Sequence, residues 1–414
     1  MKRVAVTGIG VVSPLGNTAL DVFQNARAGC SAVRRLETGF AHRLNAPLAA
    51  CVAFDPDAHF DAPKLRMLDR VSQFAVVAAN QALVDAFSGA GAAALSAAER
   101  HRAGVFVGTA MGGSLSIDAA YQTLYGEGSD RVKPYTVLMG MHNAPAAWIG
   151  IEHDLRGPNL SYSTACSSSA VAIGEAWLRI ASGSLDLAIA GGSEAPLSFG
   201  SMQAWEALHT LARIDPVDPA ASCKPFSIDR SGMVLAEGAA MLVLEAWDRA
   251  RARGAFIHGE VLGYGAATDT GHITRPSAAG QAAAMRAALQ SAALDAVAVD
   301  AINAHGTGTL ANDVAETEAI KAVFGARAGR LPISATKAMH GHLLGAAGAL
   351  ECVLSLLAMQ HAVALPTLHL HQPDPQCDLD WVPNQTRDGV PARTMLSNSF
   401  AFGGSNAVLV LGAH

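Results

Sequence analysis

The sequence has few charged residues and no long uninterrupted apolar run. Only 15% of its 414 residues are charged and 50% are hydrophobic, so a large buried core is expected. The net charge of −6 gives no reason to expect binding to nucleic acid or to an anionic membrane surface. No apolar stretch reaches about 18 residues, so a transmembrane helix is not expected.

Cysteine is scarce and scattered, and no two cysteines form a CxxC pair. This spacing excludes a disulfide framework and a cysteine-based zinc site, and it favours a cytoplasmic protein without a bound metal. A short basic start runs directly into an apolar segment at residues 4–6, which we interpret as a first strand and not as a secretory signal. The six cysteines are Cys30, Cys51, Cys166, Cys223, Cys352 and Cys377.

Short apolar runs alternate with longer Ala-rich segments, a pattern typical of an α/β protein. The length exceeds that of one compact core, so two domains are expected. The segments that begin at Ser167 and Ala346 are apolar on most faces, which predicts helices buried between sheets. Strands are predicted at 4–7, 104–108, 185–190, 240–244, 259–263, 301–304, 331–334 and 407–411, and helices at 72–86, 167–180, 279–293 and 346–359.

Two similar segments indicate an internal duplication. GAAMLVL begins at Gly238 and GSNAVLVL begins at Gly404, and each is a glycine-led apolar strand near the end of one half of the chain. This similarity predicts two related halves, residues 1–255 and 256–414, that meet near residue 255.

A run of small residues, TACSSSAVAI, surrounds Cys166 and leads into a predicted helix. A cysteine at a helix N-terminus faces unpaired backbone N–H groups and the positive end of the helix dipole. Both favour the nucleophilic thiolate, and the same N–H groups could stabilise an oxyanion. Cys166 is therefore a candidate nucleophile, the alternative being an inert buried cysteine.

Two further segments combine histidine with glycine. NAHGTGT places His305 just after a predicted strand, where a Gly/Thr turn can direct the ring into a cleft. KAMHGHLLGAAG carries Lys337, His340 and His342 between a strand and an apolar helix. One buried histidine is often structural, but a cysteine together with two such motifs indicates a catalytic site.

The motifs TACSSS, NAHGTGT, KAMHGH and FAFGGSN, in this order, resemble the signature set of the β-ketoacyl synthases of the thiolase superfamily. The similarity is closest to the Cys-His-His subgroup, the elongating synthases of bacterial fatty-acid synthesis, and it runs from Val4 to the C-terminus. It implies an α/β, thiolase-like fold in which two related α/β halves form a layered α-β-α-β-α arrangement.

By this resemblance, the chain joins acyl units through Cys166. This cysteine would take an acyl group from a carrier-protein thioester, and His305 and His342 would promote decarboxylation of malonyl-acyl carrier protein. The resulting carbanion would attack the acyl-cysteine thioester in a decarboxylative Claisen condensation, which gives a β-ketoacyl-acyl carrier protein. Such an activity serves fatty-acid synthesis or specialised polyketide or polyene synthesis.

The resemblance also implies a set of supporting residues. Lys337 matches a lysine that supports the site. Because a buried lysine needs a partner, the candidate is Glu316, which matches the family's acidic residue on the helix after the first histidine. His340 matches no family histidine and is treated as a bystander. Phe402 matches a gatekeeper aromatic whose backbone N–H completes the oxyanion hole, and Gly403 and Gly404 would let its loop move. The implied substrate pocket includes Met111, which falls where the family tunes chain length, and Thr307, Thr309 and Phe400.

The expected partner is an acyl carrier protein, which a basic patch of Lys64, Arg66, Arg70 and Arg131 would contact. A homodimer is expected, with a heterodimer of related subunits as the alternative. No metal or organic cofactor is implied, because phosphopantetheine arrives on the carrier protein. Neither nucleic acid nor a membrane is expected as a partner.

Some positions depart from the family pattern. The run KPFSIDRSGM from Lys224 has serines where elongating synthases usually carry acids, and CSSS at Cys166 is closer to modular polyketide synthases. These departures leave the reaction type intact but leave the pathway open between housekeeping and specialised synthesis.

Two other classes of protein are alternatives. A non-catalytic chain-length partner subunit would lack the nucleophile, whereas Cys166, His305 and His342 are all present. A dinucleotide-binding oxidoreductase would use a GxGxxG loop, but GIGVVS from Gly8 lacks the third glycine. Within the superfamily, the glycine-histidine pair at His342 argues against degradative thiolases and initiating synthases.

Overall fold

A computed structural model describes all residues from 1 to 414 and contains fourteen strands. In chain order they are β1 (Val4–Val12), β2 (Arg34–Arg35), β3 (Leu48–Ala49), β4 (Ala103–Gly108), β5 (Asn159–Tyr162), β6 (Leu187–Glu194), β7 (Gly238–Ala246), β8 (Gly259–Thr268), β9 (Ala301–Asn303), β10 (Ile333–Ser334), β11 (Val363–Ala364), β12 (Arg387–Asp388), β13 (Thr394–Phe400) and β14 (Ser405–Gly412).

Fourteen α-helices accompany the strands, and none of them is both long and apolar enough to cross a membrane. They are α1 (Ala19–Arg27), α2 (Ala62–Leu65), α3 (Arg70–Ala86), α4 (Ala97–His101), α5 (Ser114–Tyr121), α6 (Thr136–Gly140), α7 (Ala144–His153), α8 (Ser168–Ala181), α9 (Phe199–Ala207), α10 (Trp247–Ala252), α11 (Ala278–Ser291), α12 (Leu310–Phe324), α13 (Lys337–His340) and α14 (Ala347–Gln360).

Ten strands form one sheet with the order β10-β9-β13-β14-β8-β1-β7-β6-β4-β5. Each half of this order has the same pattern of directions. The three outermost strands run parallel to one another, and the next two pairings are antiparallel. The duplicated segments, β7 and β14, occupy equivalent places in the two halves. The prediction of two related halves is therefore met in the topology, while the boundary near residue 255, between α10 and β8, stays a prediction.

The helices lie in layers around this sheet. Outside the first half, α3 packs on β1 and β7, and outside the second half α11 packs on β8 and β14. Between the halves, α8 contacts β4, β6 and β8, and α14 contacts β7 and β13. Both central helices are largely buried, as their apolar sequences predict. This is the layered α-β-α-β-α arrangement, and it brings the first turns of α8 and α14 close together.

Every predicted strand and helix is present, but two strands of the sheet were not predicted. Four of the seven residues of β13 are polar and buried, and they obscure the apolar pattern: Thr394, Ser397, Asn398 and Ser399. β5 is a short edge strand with an exposed start, so it shows no apolar run. The Ala-rich stretch at residues 88–101, to which no chemistry was assigned, forms only short turns and α4 at the periphery.

Candidate active site

Cys166 lies in a single turn of 3-10 helix, Ala165–Ser167, that leads directly into α8. The preceding residue, Ala165, has a φ of 49°, a left-handed conformation that costs energy for a residue with a Cβ and sharpens the turn. The cysteine is buried, with 5% of its surface exposed, and it packs among apolar side chains that include Leu344 and Met233. The sequence-based placement of Cys166 at a helix N-terminus is thus correct.

The three serines that follow Cys166 build the turn and attach it to the neighbouring helix. The Ser167 hydroxyl donates to the Thr164 carbonyl, and the Ser168 hydroxyl accepts from the Thr164 N–H. The Ser169 hydroxyl accepts from the backbone N–H of Ala349 on α14, at 3.0 Å. These contacts give the CSSS sequence a structural role and link the nucleophile turn to the other half of the chain.

His305 lies in the loop between β9 and α12, and a carboxylate on α12 holds this loop in place. Glu316 accepts hydrogen bonds from the backbone N–H groups of His305 and Gly306, at 2.8 and 2.9 Å. Its other partners are the side-chain amides of Asn398 on β13, at 3.1 Å, and of Asn312 on α12, at 3.5 Å. Glu316 therefore positions the histidine backbone, and its contacts with the loop occupy it fully.

The His342 backbone is held by the first half of the chain. Its N–H donates to the Val234 carbonyl at 2.7 Å, and its carbonyl accepts from Ala236 at 2.9 Å. The Leu344 N–H donates to the ring Nδ1 at 3.2 Å. Because Nδ1 is an acceptor, the neutral ring carries its proton on Nε2. His342 Nε2 lies 3.1 Å from the Cys166 sulfur, so the ring donates towards the thiol.

The second imidazole faces the same point. The ring centroids of His305 and His342 are 5.5 Å apart, and the two ring planes are nearly perpendicular. The Lys337 ammonium lies 3.4 Å from His305 Nδ1, which makes Nδ1 the acceptor and leaves the ring proton on Nε2. The Cys166 sulfur, one ring nitrogen of His305 and one ring nitrogen of His342 all lie within 4.8 Å of one another. Two N–H donors therefore converge beside one sulfur.

The predicted partner of Lys337 is wrong. The ammonium pairs with Glu351 on α14 and also donates to the His305 carbonyl at 2.5 Å. Glu316 is not its partner, because that carboxylate is occupied by the loop at His305. The pair is completely buried, with 1% and 0% of the two side chains exposed. A sequence signal for Glu351 existed, since it is the only charged residue in the apolar helix α14.

The electrostatics of Cys166 differ from the expectation based on the helix dipole. Burial raises the pKa of its thiol to about 12, although Lys337 and the Phe402 N–H, which faces the sulfur, both act to lower it. Burial, followed by the charge of Lys337, holds the pKa values of His305 and His342 well below the usual range. The resting site therefore contains a neutral thiol and two neutral imidazoles, since desolvation outweighs the favourable charges.

His340 lies beside the site but points elsewhere. It is fully buried, and its Nε2 is 3.0 Å from the Thr336 hydroxyl one turn earlier. Burial, with Lys337 as a smaller cause, lowers its pKa to about 3. It makes no contact with Cys166, in agreement with the prediction that it is a bystander to the chemistry.

A cavity opens over the cysteine and the two histidines. Phe400, Phe402, Thr307 and Thr309 all line it, as the sequence predicted, and the two threonine hydroxyls are 2.9 Å apart. The Phe402 ring stacks on the Trp205 ring, with 6.1 Å between the ring centroids. Met111, which was also predicted to line the pocket, does not line this cavity; it packs instead against the apolar cluster that contains Cys166. Its predicted role in setting chain length stays a prediction.

The loop after Phe402 is held in place by hydrogen bonds. Gly403 has a φ of 81°, and its N–H donates to the Ile273 carbonyl at 2.7 Å. Gly404 has a φ of 74°, and an added Cβ would meet the Asp269 carbonyl oxygen at 2.5 Å. Both positions therefore require glycine. The predicted mobility of this loop stays a prediction.

The four residues of the predicted basic patch differ in whether their charges are free to contact a partner. Arg66 and Arg131 are exposed and form no ion pair. Lys64 forms an ion pair with Glu152. Arg70 lies over the Phe74 ring and makes a bidentate ion pair with the buried Glu237, at 2.7 and 2.8 Å. Arg70 is thus committed within the protein and is the weakest member of the patch.

Glu194 was not predicted as a site residue, yet it connects the segment after β4 to the turn that precedes α14. Its buried carboxylate accepts from the N–H groups of Ala110, Met111 and Gly345, at 2.7 to 3.0 Å. Burial raises its pKa to about 7, although these hydrogen bonds act in the opposite direction. Its neighbours are separated from it by long stretches of sequence, so no local pattern could have indicated them.

Comparison with known proteins agrees with this fold and site. The model of the β-ketoacyl synthase N-terminal domain matches residues 1–250, and that of the C-terminal domain matches residues 258–371. Together the two matches span most of the chain. The chain belongs to the β-ketoacyl synthase family, and it is an enzyme of the ketosynthase class with a thiolase-like fold.

Individual relatives cover nearly the whole chain. Nodulation protein E of Rhizobium sp. (strain N33) is 42% identical over 410 residues, which cover 99% of this chain and 98% of that protein. The 3-oxoacyl-[acyl-carrier-protein] synthase 2 of Staphylococcus aureus (strain COL) is 37% identical over 412 residues, 99% of this chain and 98% of that protein. A solved complex of a type II polyketide synthase acyl-carrier protein with its ketosynthase matches with a TM-score of 0.91 and 31% identity, covering 100% of this chain and 99% of that chain.

Proposed function

We propose that this protein condenses an acyl group held on Cys166 with malonyl-acyl carrier protein, giving a β-ketoacyl-acyl carrier protein. The observation that carries the proposal is the convergence of the His305 and His342 rings beside one buried sulfur. Such an arrangement can hold an acyl thioester and stabilise an enolate next to it.

In the first step, the Cys166 sulfur attacks the thioester carbonyl of an acyl-carrier protein. A new S–C bond forms, the bond to the carrier sulfur breaks, and the thiol proton ends on the departing carrier thiol. Negative charge develops on the carbonyl oxygen, for which the Phe402 N–H beside the sulfur is a donor. The raised pKa of Cys166 means that the proton leaves during attack and not before it.

In the second step, malonyl-acyl carrier protein loses CO2. The electron pair of the breaking C–C bond moves into the thioester and forms an enolate. The Nε2 protons of His305 and His342 stabilise the enolate oxygen, because charge-assisted hydrogen bonds are strong in a site that excludes water. The enolate carbon then attacks the acyl-Cys166 carbonyl, and the C–S bond to Cys166 breaks.

The test is intact-protein mass spectrometry after incubation with acyl-carrier protein. Wild-type protein should gain one acyl group at Cys166, and Cys166→Ala should gain none and form no β-ketoacyl product. Cys30→Ser is the matched control, because Cys30 is exposed and remote from the site. Product formation by Cys166→Ala would show that the nucleophile is misassigned.

The relatives and two sequence motifs bear on the pathway. The chain shares more identity with nodulation protein E than with the fatty-acid enzyme, and its CSSS and KPFSIDRSGM sequences depart from the elongating pattern. We favour a specialised acyl product over housekeeping fatty-acid synthesis. The test is to identify the products formed from malonyl-carrier protein and saturated acyl primers from C4 to C16. A housekeeping enzyme should accept all of these primers, and a specialised enzyme should not.

A homodimer is the proposed assembly. Strand β5 lies at an edge of the ten-stranded sheet with Leu160 exposed, so its backbone can pair with another strand. Large exposed apolar residues are concentrated nearby in sequence: Tyr121, Tyr125, Val132, Tyr135, Val137, Leu138, Met141 and Ile151. Wild type should sediment as a dimer, and Leu160→Lys with Val137→Asp should weaken it. Val217→Asp, an exposed site far along the chain, is the control. A wild-type monomer at micromolar concentration would contradict this assembly.

An acyl carrier protein remains the proposed partner, and the six free thiols support the proposed cytoplasmic location. The absence of a metal or organic cofactor stays a prediction. It is tested by metal analysis of the purified protein, in which a stoichiometric transition metal would contradict it.

A further inference from the structure

The cavity above Cys166 has an inner end and an outer end of different chemistry. The inner end contains the buried cysteine and histidines. The outer end is formed by the segment at residues 269–276 that precedes α11, and it is open to solvent. A substrate that reaches the sulfur must therefore pass this segment.

Arg275 is the only cationic side chain that lines the cavity, since the two histidines in the lining are neutral. It is exposed, and it forms no ion pair and no hydrogen bond. The only acid in the lining, Asp269, is occupied, because it accepts from the Ser277 N–H at 3.0 Å and from the Asn406 amide at 2.9 Å. The guanidinium at the cavity mouth is thus an unpaired positive charge.

The segment that carries Arg275 is anchored at both ends. The Asp269 N–H donates to the Gly404 carbonyl at 2.8 Å, and the Ile273 carbonyl accepts from Gly403 at 2.7 Å. Beyond it, the Ser277 hydroxyl caps α11. A charge on an anchored segment binds an anion at a lower entropic cost than a charge on a free one.

We propose that Arg275 binds the phosphate of the carrier's phosphopantetheine arm at the entrance to the active-site cavity. This inference rests on the proposed function. The arm carries its thioester at one end and its phosphate at the other, so when the thioester reaches Cys166 the phosphate remains near the mouth. Guanidinium and phosphate are complementary in charge and in hydrogen-bond geometry. The carrier protein's own carboxylates are the competing ligand that the experiment must separate.

The experiment compares two small substrates, acyl-4′-phosphopantetheine and acyl-pantetheine, which differ only in the phosphate. The kcat/KM of Cys166 acylation is measured for each by mass spectrometry. Wild type should prefer the phosphorylated substrate by about fivefold at low salt. This factor is modest because the arginine is exposed. The preference should fall as salt is added. In Arg275→Ser the ratio should approach one, and Arg275→Lys should retain part of it.

Arg251→Ser is the matched control, because Arg251 is an exposed arginine without an ion pair on α10, away from the cavity. It should keep the wild-type ratio. Retention of the full ratio by Arg275→Ser would overturn the proposal. So would a defect seen only with the intact carrier protein, which would assign Arg275 to a protein carboxylate. If wild type is acylated by neither small substrate nor by acyl-carrier protein, the proposed function itself fails, and this inference falls with it.

Discussion

Lys337, the first residue of α13, and Glu351 on the central helix α14 form a completely buried ion pair. Glu351 also shows how strongly its surroundings disfavour charge. Burial raises its pKa to about 7, against the opposing effect of the lysine. The pair lies directly behind His305, whose carbonyl accepts from the same ammonium.

Removal of one partner from this pair should be strongly destabilising. Glu351→Ala leaves an unpaired ammonium in the core, so the free energy of unfolding should fall by about 3–5 kcal/mol. Lys337→Met combined with Glu351→Leu removes both charges and should recover much of this loss. Urea denaturation measures the free energy of unfolding of both variants. The control is Asp378→Ala, which breaks the exposed ion pair with Lys321. Equal stability of Glu351→Ala and wild type would contradict the prediction.

Glu316 should matter for condensation more than for acyl transfer. Glu316→Ala removes the acceptor of two backbone N–H groups at His305 and should displace that ring, lowering the condensation rate by more than about tenfold. Acylation of Cys166 should change much less, since Glu316 does not contact the cysteine. Glu318→Ala, an exposed position on the same helix, is the control. Equal losses in both steps would point to general unfolding and not to a displaced ring.

The reactivity of the free Cys166 thiol should keep rising in alkaline solution. Alkylation requires the thiolate, and with a pKa of about 12 the thiolate fraction increases about tenfold per pH unit up to pH 10. The rate is measured by peptide mass spectrometry with iodoacetamide in a Cys30→Ser, Cys51→Ser background. A plateau below pH 9 would show instead that the helix N-terminus outweighs burial.

His340 should contribute to acid instability. Between its unfolded pKa of 6.5 and its folded pKa of about 3, the unfolded chain binds a proton at this residue that the folded protein does not. Stability therefore falls as the pH drops through this window, by about 1.4 kcal/mol per pH unit for one group. His340→Gln should reduce the slope by about that amount in denaturation between about pH 4 and pH 5.5, where the unfolded residue is protonated and the folded one is not. His101→Gln, at an exposed position, should leave the slope unchanged, and an unchanged slope in His340→Gln would refute the assignment.

Much of the fold was predictable because the relevant patterns are local. The apolar helices α8 and α14 were recognised from composition, and the duplicated strands β7 and β14 from a shared glycine-led motif. The strands β5 and β13 were not recognised, because an exposed edge and a set of buried polar residues carry no apolar periodicity.

In the active site, too, the residues in local motifs were predictable and those fixed by distant contacts were not. Cys166, His305 and His342 were identifiable because each lies in a short motif of small residues, where a tight turn demands that composition. The role of Glu194 was not predictable because its partners come from two segments, residues 109–111 and Gly345, that lie far from it in sequence. Arg70 looked available in the sequence, but the structure pairs it with Glu237, a residue 167 positions away.

The sequence by itself determined which chemical groups are present and the local turns that carry them, because such turns depend on neighbouring residues. The tertiary structure alone decided that Glu351, and not Glu316, neutralises Lys337, and that Cys166 rests as a thiol. Both outcomes depend on desolvation, which arises only when segments far apart in the chain pack together and exclude water.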